Sequence, residues 1–312
     1  MIASKADPVC GVLTIAHGDL RFARQAVALA RSIRLRDPDL PLAVATDLDA
    51  ALFEGMFDSI VRWDFSARPG LIAKLDLYEM SPFQQTLFLD SDVLMYVSAE
   101  ELFRYFAGSE FAVVGQNSEH PDYFLKMEPI RFCVPAATYP RFIGGLYYFE
   151  RCDRSARIFR NAATWLAQYD ELGIIRLRGK PNEEPLFSLA MAMEGIPAHR
   201  SRTPDLLINP TGAGAPLATA DIFAGSCIQI ENGVCIRRAM LHFYDGATST
   251  FAYVLDTERL AAAWRRNDRT VRFDFLVRIY AFCVWLMMPP LGVGKVRISI
   301  AKRLRAAFGR IF

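Results

Sequence analysis

The chain has 312 residues, of which 52% are hydrophobic and 22% are charged, and its net charge is +2 at neutral pH. This length allows a full hydrophobic core, and this hydrophobic content excludes an intrinsically disordered chain. The small net charge hides an asymmetry, because residues 271–312 contain eight basic residues and one acidic residue. An acidic body with a basic, apolar tail favours a membrane surface over nucleic acid as a partner.

The six cysteines are scattered along the chain, without a CxxC pair or the spacing of a metal site. Single scattered cysteines are typical of small buried side chains. The first residues lack the basic stretch and apolar run of a secretory signal peptide. Together these features predict a protein of the reducing cytoplasm.

The N-terminal part of the chain predicts a β-α-β unit. Residues 9–15 form an apolar run with β-branched side chains, which is typical of a buried parallel strand. Asp19 is placed to cap a helix whose apolar residues recur every three or four positions. Residues 42–45 predict the second strand, and a right-handed crossover is expected between the two.

Further elements follow in the same alternating order. Residues 60–63, 86–89, 111–115 and 145–149 predict strands, and residues 74–79 predict a helix. Another helix is predicted from Glu183 to about position 194, with Gly195 as its end. Residues 116–141 contain four prolines and predict a long loop, which is either a functional lid or a partly ordered insertion.

Asp90 and Asp92 directly follow the predicted strand 86–89. Ligands of open α/β sheets bind outside the carboxyl ends of the strands, and two carboxylates there suit Mg²⁺ or Mn²⁺ with a phosphate completing the shell. Taken alone, two acids at this spacing are equally typical of a solvated turn. Phosphohydrolases of the haloacid dehalogenase type also use an aspartate pair, but near the start of their core, whereas a β-α-β unit precedes Asp90 here.

Four blocks of the sequence, in this order, resemble the GT-A glycosyltransferases of family 8, the group of glycogenin and the lipopolysaccharide galactosyltransferases. The blocks are residues 74–93, 142–149, 182–188 and 241–246, and the resemblance extends over about residues 9–246. It implies an α/β fold of the GT-A type for residues 1–270, a Rossmann-like mixed sheet flanked by helices. Residues 271–312 would form a membrane-associating helical tail.

The resemblance also implies a metal site and a donor. Asp90, Asp92 and His242 would bind the divalent metal that bridges the diphosphate of a nucleotide sugar, with Asp90 also contacting the ribose. A histidine among the ligands favours Mn²⁺ over Mg²⁺, because imidazole is a softer donor than oxygen. Taken alone, His242 is more typical of a hydrogen-bonded core histidine, and its place in the order of the family's blocks favours the metal ligand.

Further donor-binding residues implied by the resemblance are Ala16, His17, Gly18, Lys74, Gly144 and Gly145. The first three would hold the base and ribose through the turn after the first strand, although an ordinary capped turn fits the same residues. Lys74 would place a cation near the diphosphate or the acceptor, and a solvated helix lysine is its alternative.

Glu183 and Glu184 stand where the family places its donor-sugar and catalytic residues. A carboxylate on the reactive face of a sugar stabilises oxocarbenium character or acts as a base. The alternative is a favourable interaction with the helix dipole, worth about 0.3–1 kcal/mol for each acid. The sequence leaves open which of the two glutamates is functional.

Two departures from the family pattern limit what the resemblance implies. Ile143 replaces an asparagine that contacts the sugar, and residues 247–250 lack the Lys-Pro-Trp that follows the late histidine block. The donor sugar, the acceptor and the anomeric outcome therefore stay open. A catalytically degenerate nucleotide-sugar-binding protein is the alternative to an enzyme, and a phosphohydrolase is a weaker one.

The C-terminal residues predict association with a membrane surface. Residues 279–294 are apolar, but Pro289 and Pro290 interrupt them, and a spanning helix needs about 20 apolar residues. Residues 296–311 predict an amphipathic helix with one apolar and one basic face, which is typical of helices in the membrane interface. The alternatives are a helix packed on the domain or an oligomer contact. We therefore expect a cytoplasmic protein, peripheral on the inner face of the membrane, acting on a glycan or lipid-linked acceptor.

Overall fold

The computed structural model describes residues 9–203, 206–208, 217–231, 233–244, 246–266 and 274–287. The first elements are β1 (Cys10–Ala16), α1 (Leu20–Arg34), β2 (Leu42–Thr46), β3 (Ser59–Arg62), α2 (Leu77–Met80), β4 (Gln85–Leu89), β5 (Val93–Met95), α3 (Ala99–Phe106), β6 (Phe111–Ala112) and β7 (Gly115–Ser118). They are followed by α4 (Glu128–Cys133), β8 (Tyr139–Phe142), β9 (Leu146–Glu150), α5 (Asp153–Trp165), α6 (Glu183–Met193), β10 (Leu217–Asp221), β11 (Ser226–Glu231), β12 (Val234–Arg237), β13 (Met240–His242), α7 (Phe251–Arg265) and α8 (Asp274–Met287).

The central sheet has six strands in the order β3-β2-β1-β4-β9-β6. Its first four strands are parallel, while β9 runs antiparallel to both β4 and β6. The parallel strands come from apolar runs that can be buried on both faces. The predicted mixed α/β architecture is therefore confirmed, and the carboxyl ends of β1, β2, β3 and β4 lie at one edge of this sheet.

Helices cover both faces of the central sheet. Successive side chains of a strand point to opposite faces, so an apolar strand such as β4 presents apolar side chains to the helices on both. Leu87 and Leu89 of β4 belong to a core with residues of α1 and α3, such as Leu29 and Leu102. Phe88 between them belongs to a second core with residues of α5 and α6. This alternation gives three layers, and α5 and α6 pack against each other in the outer one.

The helix ends predicted from the sequence are confirmed. The side chain of Asp19 caps α1 by accepting a hydrogen bond from the Arg21 amide. Asn182 caps α6 in the same way through the Glu184 amide, so the two acidic residues 183 and 184 occupy its first turn. Gly195, just beyond α6, has a φ of +67°, the left-handed conformation that favours glycine.

Two predictions on local structure are wrong. Residues 111–115 do not form one strand, because β6 stays in the central sheet while β7 pairs with β8. Residues 116–141 are not a long loop, since they contain most of β7, the helix α4 and much of β8. The helix predicted at residues 74–79 is confirmed, although its first part belongs to a 3₁₀ helix (Gly70–Asp76) that precedes the short α2.

The C-terminal elements pack on the rest of the protein. Helix α7 packs against α1, and α8, which begins inside the predicted tail, packs against α7. No helix among the described residues is long and apolar enough to cross a membrane. The amphipathic helix predicted for residues 296–311 lies outside the described residues, so it stays a prediction, as does the boundary at residue 270.

Candidate active site

A short antiparallel pair of strands brings His242 beside the two aspartates. His242 of β13 pairs with Val93 of β5, directly after Asp92. The amide of Phe243 also donates to the carbonyl of Asp92 at 3.0 Å. As a result, His242 Nε2 lies 3.0 Å from Asp92 Oδ1 and 3.6 Å from Asp90 Oδ2. Residues 150 positions apart in the chain thus meet at the carboxyl end of β4.

Asp90, Asp92 and His242 together form a group that can hold a metal ion. Each offers one ligand atom, and these atoms lie within 4.8 Å of one another. Burial alone would raise the pKa of Asp92, but the hydrogen bond and charge of His242 lower it. Burial alone would lower the pKa of His242, but Asp92 and Asp90 raise it. Two carboxylates and one imidazole fit a divalent cation that accepts oxygen and nitrogen ligands.

Lys74 lies behind Asp90 and is buried, with 8% of its side chain exposed. Its ammonium group donates to Asp90 Oδ2 and to the carbonyl of Gly144, both at 2.8 Å, and lies 3.1 Å from Glu183 Oε1. Burial alone would lower the pKa of Lys74, but the charges of Asp90 and Glu183 outweigh this and raise it. Lys74 is therefore a charged, fully engaged lysine and not a solvated one.

Glu183 is the most deeply buried acid of the group, with 1% of its side chain exposed. Besides Lys74, its Oε1 accepts a hydrogen bond from the hydroxyl of Tyr147 at 3.4 Å. Its Oε2 is buried and has no hydrogen-bond partner among the described residues. Burial raises the pKa of Glu183, and Lys74 only partly opposes this. Its carboxyl group thus belongs to the interior.

Glu184, in contrast, is only half-buried. Its Oε1 accepts a hydrogen bond from the amide of Gly144 at 2.7 Å, and its Oε2 accepts one from the Asn182 side chain at 3.2 Å. Glu184 therefore holds the glycine turn directly, through the Gly144 amide, whereas Glu183 is linked to it through Lys74, which donates to the Gly144 carbonyl.

The turn Gly144-Gly145 fits tightly between these groups. A Cβ atom at Gly144 would collide with Glu183 Oε1, and one at Gly145 would lie 2.6 Å from His242 Nδ1. The carbonyl of Gly145 also accepts a hydrogen bond from the amide of Asp90 at 3.1 Å. Only glycine leaves room for this arrangement, so the turn fixes the spacing between the histidine and the glutamates.

Ala16, His17 and Gly18 lie at the same sheet edge at the end of β1, the strand beside β4. Their contacts are with the ends of the neighbouring strands. The carbonyl of Ala16 accepts a hydrogen bond from Thr46, and the amide of Gly18, which has a φ of +75°, donates to Asp47 Oδ1 at 2.9 Å.

An open pocket of about 620 Å³ lies beside this turn. His17 lines it together with Asp47, Trp63 and Phe65, and the rings of His17 and Phe65 stack with their centroids 4.4 Å apart. Burial lowers the pKa of His17, since the nearby Asp47 opposes this only in part. An aromatic, half-buried pocket of this kind suits a flat ring.

Several residues of this region were not identified from the sequence. Asp47 and Trp63 directly follow β2 and β3, and their positions after strands were a usable signal. Tyr147, which supports Glu183, gave no such signal, because only the tertiary packing brings the two together. Asn182, in contrast, is a local contact of Glu184, as the cap residue of α6.

We call the central group the acidic cluster; it comprises Lys74, Asp90, Asp92, Glu183, Glu184 and His242. Four carboxylates stand there beside one lysine and one histidine. Negative charge in a partly buried site is unfavourable unless a cation balances it. The cluster is thus suited to a divalent cation and, through it, to an anionic ligand.

No protein-family model matches this sequence, and no curated protein does. Solved structures match its fold. An active-site mutant of LgtC matches with 16% identity and a TM-score of 0.49, over 81% of this chain and 95% of that one. LgtC is described as a galactosyltransferase in a complex with donor and acceptor sugar analogs.

Two further structures are similar. The bifunctional glycosyltransferase WbbM matches with 14% identity and a TM-score of 0.49, over 87% of this chain and 51% of that one, so this chain spans about half of WbbM. Mouse xyloside xylosyltransferase 1 matches with 15% identity and a TM-score of 0.45, over 77% of this chain and 99% of that one. These three solved structures are glycosyltransferases.

Proposed function

We propose that this protein is a metal-dependent glycosyltransferase. It transfers a sugar from a nucleotide-sugar donor, a UDP-sugar, to a glycan or lipid-linked acceptor. The observation that carries this proposal is the convergence of Asp90, Asp92 and His242 within 4.8 Å at the carboxyl ends of parallel strands. Mn²⁺ is the ion that best suits two carboxylates and an imidazole, with Mg²⁺ second.

The pocket beside β1 supports binding of the nucleoside part of the donor. His17, Trp63 and Phe65 offer aromatic surface in this pocket. Ala16 and Gly18 offer backbone groups at the end of β1, the strand that pairs with β4, which Asp90 and Asp92 follow. A nucleoside there would place its diphosphate toward Asp90 and Asp92. Gly144 and Gly145 would then lie beside the donor sugar.

The chemistry follows from the order of these parts. When bound, the metal acts as a Lewis acid that stabilises the charge on the departing nucleoside diphosphate. The C1–O bond to the diphosphate breaks, and the acceptor oxygen bonds to C1. The proton of the acceptor hydroxyl passes to a base, either a carboxylate of the site or an oxygen of the departing diphosphate. A glutamate at the start of α6 supplies negative charge that stabilises a positive sugar carbon. The rigid Gly144-Gly145 turn keeps these groups in place, which lowers the entropic cost of the reaction.

We also propose the membrane role and the division at residue 270 that the sequence predicts. Aromatic side chains of α8, Phe282 and Trp285, lie partly exposed next to Phe251 of α7. The basic residues that follow in the sequence would add about 1 kcal/mol each on an anionic leaflet. The proposed position of the protein is the cytoplasmic face of the membrane, with these aromatic and basic residues as its contacts.

A truncation tests that role. Removing residues 271–312 should reduce binding to vesicles with anionic lipids by about tenfold or more, while vesicles of neutral lipids bind both forms weakly. Co-sedimentation of both forms measures this. Equal binding of the truncated and full chains would show that the tail is not the anchor.

A donor screen tests the enzymatic proposal. Wild-type protein with Mn²⁺ should hydrolyse one UDP-sugar slowly without an acceptor, and EDTA should stop this release of UDP. Binding of UDP without any hydrolysis or transfer would favour a degenerate binding protein. Release of phosphate from simple esters, with a phosphoryl group trapped on Asp90, would indicate a phosphohydrolase.

A further inference from the structure

The proposed function leaves two questions open, namely what Lys74 binds and which glutamate acts on the sugar. The contacts of Lys74 bear on the first. An ammonium group has three hydrogens, and here it faces three protein oxygens, at Asp90, Gly144 and Glu183. Lys74 therefore has no hydrogen left for a diphosphate unless it gives up one of these contacts.

The position of Glu183 bears on the second question. Its carboxyl group lies beneath Gly144, with 1% of the side chain exposed, and Tyr147 covers it from the strand β9. A substrate cannot reach either oxygen in this arrangement. Glu184, one residue later, is half-buried and accepts a hydrogen bond from the amide of Gly144.

The charges explain why an acid is buried at this point. The ammonium group of Lys74 holds Asp90 Oδ2, but a positive charge 2.8 Å from a metal ligand repels a cation. Glu183, 3.1 Å from the same ammonium group, cancels that charge locally. Asp90 thus keeps a fixed orientation without losing its attraction for a divalent ion.

We propose that Lys74 and Glu183 form a neutral positioning pair that orients Asp90 and the Gly144 carbonyl, and that Glu184 is the acid presented to the substrate. The pair lies below the site and contacts neither the diphosphate nor the sugar. This inference rests on the proposed function, since it assigns roles within the same metal site.

Binding of Mn²⁺ without nucleotide tests the pair, using electron paramagnetic resonance to count free Mn²⁺. E183Q leaves the ammonium group of Lys74 unbalanced and should weaken Mn²⁺ binding about tenfold or more. Adding K74M to E183Q removes that unbalanced charge, so the double variant should regain most of the lost affinity. E184Q should keep its Mn²⁺ affinity and lose turnover instead.

The matched control is D256N, which removes another buried carboxylate that contacts an arginine, Arg259, away from this site. Its Mn²⁺ affinity should stay within about twofold of wild type. Unchanged Mn²⁺ binding in E183Q, or a double variant no better than E183Q, would overturn the positioning pair. Loss of turnover alone in E183Q would instead make Glu183 a catalytic residue.

A second variant, K74M, tests the role of Lys74 by itself. This test does not depend on whether E183Q folds. In EDTA, K74M should bind UDP and UMP in the same ratio as wild type. The reason is that the ammonium group of Lys74 in wild type does not reach the diphosphate. A selective loss of UDP binding of about tenfold would show direct contact and overturn the inference. If wild-type protein binds no Mn²⁺, the proposed function itself fails and the inference with it, whereas a failed rescue removes the inference alone.

Discussion

Two buried clusters of charged side chains in this protein differ in their balance of charge. The acidic cluster has four carboxylates beside one lysine and one histidine, and it lies at the carboxyl end of β4. The second, which we call the helix cluster, comprises Tyr96, Asp221, Asp256 and Arg259. There Arg259 lies 3.2 Å from Asp221 and 3.5 Å from Asp256, and Tyr96 donates to Asp256 at 2.6 Å.

The helix cluster connects three elements and needs no ligand to do so. Asp221 ends β10, Asp256 and Arg259 are one turn apart on α7, and Tyr96 follows β5. Its two carboxylates share one arginine and one hydroxyl. The acidic cluster is equally well ordered but carries surplus negative charge. Surplus charge at a sheet edge, more than burial or ion pairing as such, distinguishes a ligand site from a structural one.

Removing one acid from each cluster should give the largest contrast. D92A removes a metal ligand and should reduce metal-dependent hydrolysis of the donor by about a thousandfold, because the stabilisation of the leaving group is lost. D256N should change this rate by less than about threefold, since Asp256 supports packing only. Donor hydrolysis at saturating Mn²⁺ measures both. Similar rates for the two variants would erase the functional distinction between the clusters.

The helix cluster should contribute to the pH dependence of stability. Burial raises the pKa of Asp256 from 3.8 to about 6, although Tyr96 and Arg259 oppose this. The folded state then binds more protons than the unfolded state within this window, so the free energy of unfolding falls as pH rises from about 4 to 6. A shift of about two pKa units corresponds to about 3 kcal/mol at most.

Urea denaturation of wild type and D256N across this pH range checks the sign. As the pH rises, the free energy of unfolding of wild type should fall relative to that of D256N, which has no carboxyl group at this position to titrate. A difference that stays constant from pH 4 to pH 7 would mean that Asp256 titrates as it does in the unfolded chain.

Adding one methyl group at Gly145 should displace His242 and so disturb the acidic cluster alone. In G145A the new Cβ would lie 2.6 Å from His242 Nδ1, so the imidazole must move away from the aspartates. We expect Mn²⁺ affinity to fall by about tenfold or more. G108A is the control, because its Cβ meets nothing within 4 Å, and Gly108 has a φ of +83°.

G108A should lose about 1 kcal/mol of stability through backbone strain and keep its Mn²⁺ affinity. Titration calorimetry with Mn²⁺ separates the two variants. If G145A binds Mn²⁺ as tightly as wild type does, His242 is not held in place by the glycine turn.

Part of the site could be predicted from local sequence, because Asp90 and Asp92 follow a strand. Their position after β4 followed from the apolar run before them, while Asp19 as the cap of α1 and Gly195 at the end of α6 followed from their residue types. The interruption between β6 and β7 was not predictable, since no breaker separates residues 112 and 115 and only pairing with β8 divides the run.

The division of labour between neighbouring residues also depended on the fold. Glu183 and Glu184 look alike in sequence, yet one packs against Lys74 inside the protein and the other reaches the glycine turn near the surface. That difference comes from the packing of α6 beside β9. The meeting of His242 with Asp92 similarly required the register of β13 on β5.

The most direct test of a metal site for nucleotide-sugar transfer is a crystal of the wild-type protein grown with Mn²⁺ and UDP. Anomalous scattering of manganese should give one peak between Asp90, Asp92 and His242, with the diphosphate of UDP bound to it and the base in the pocket at His17. No manganese at these three residues while UDP is bound would contradict the account.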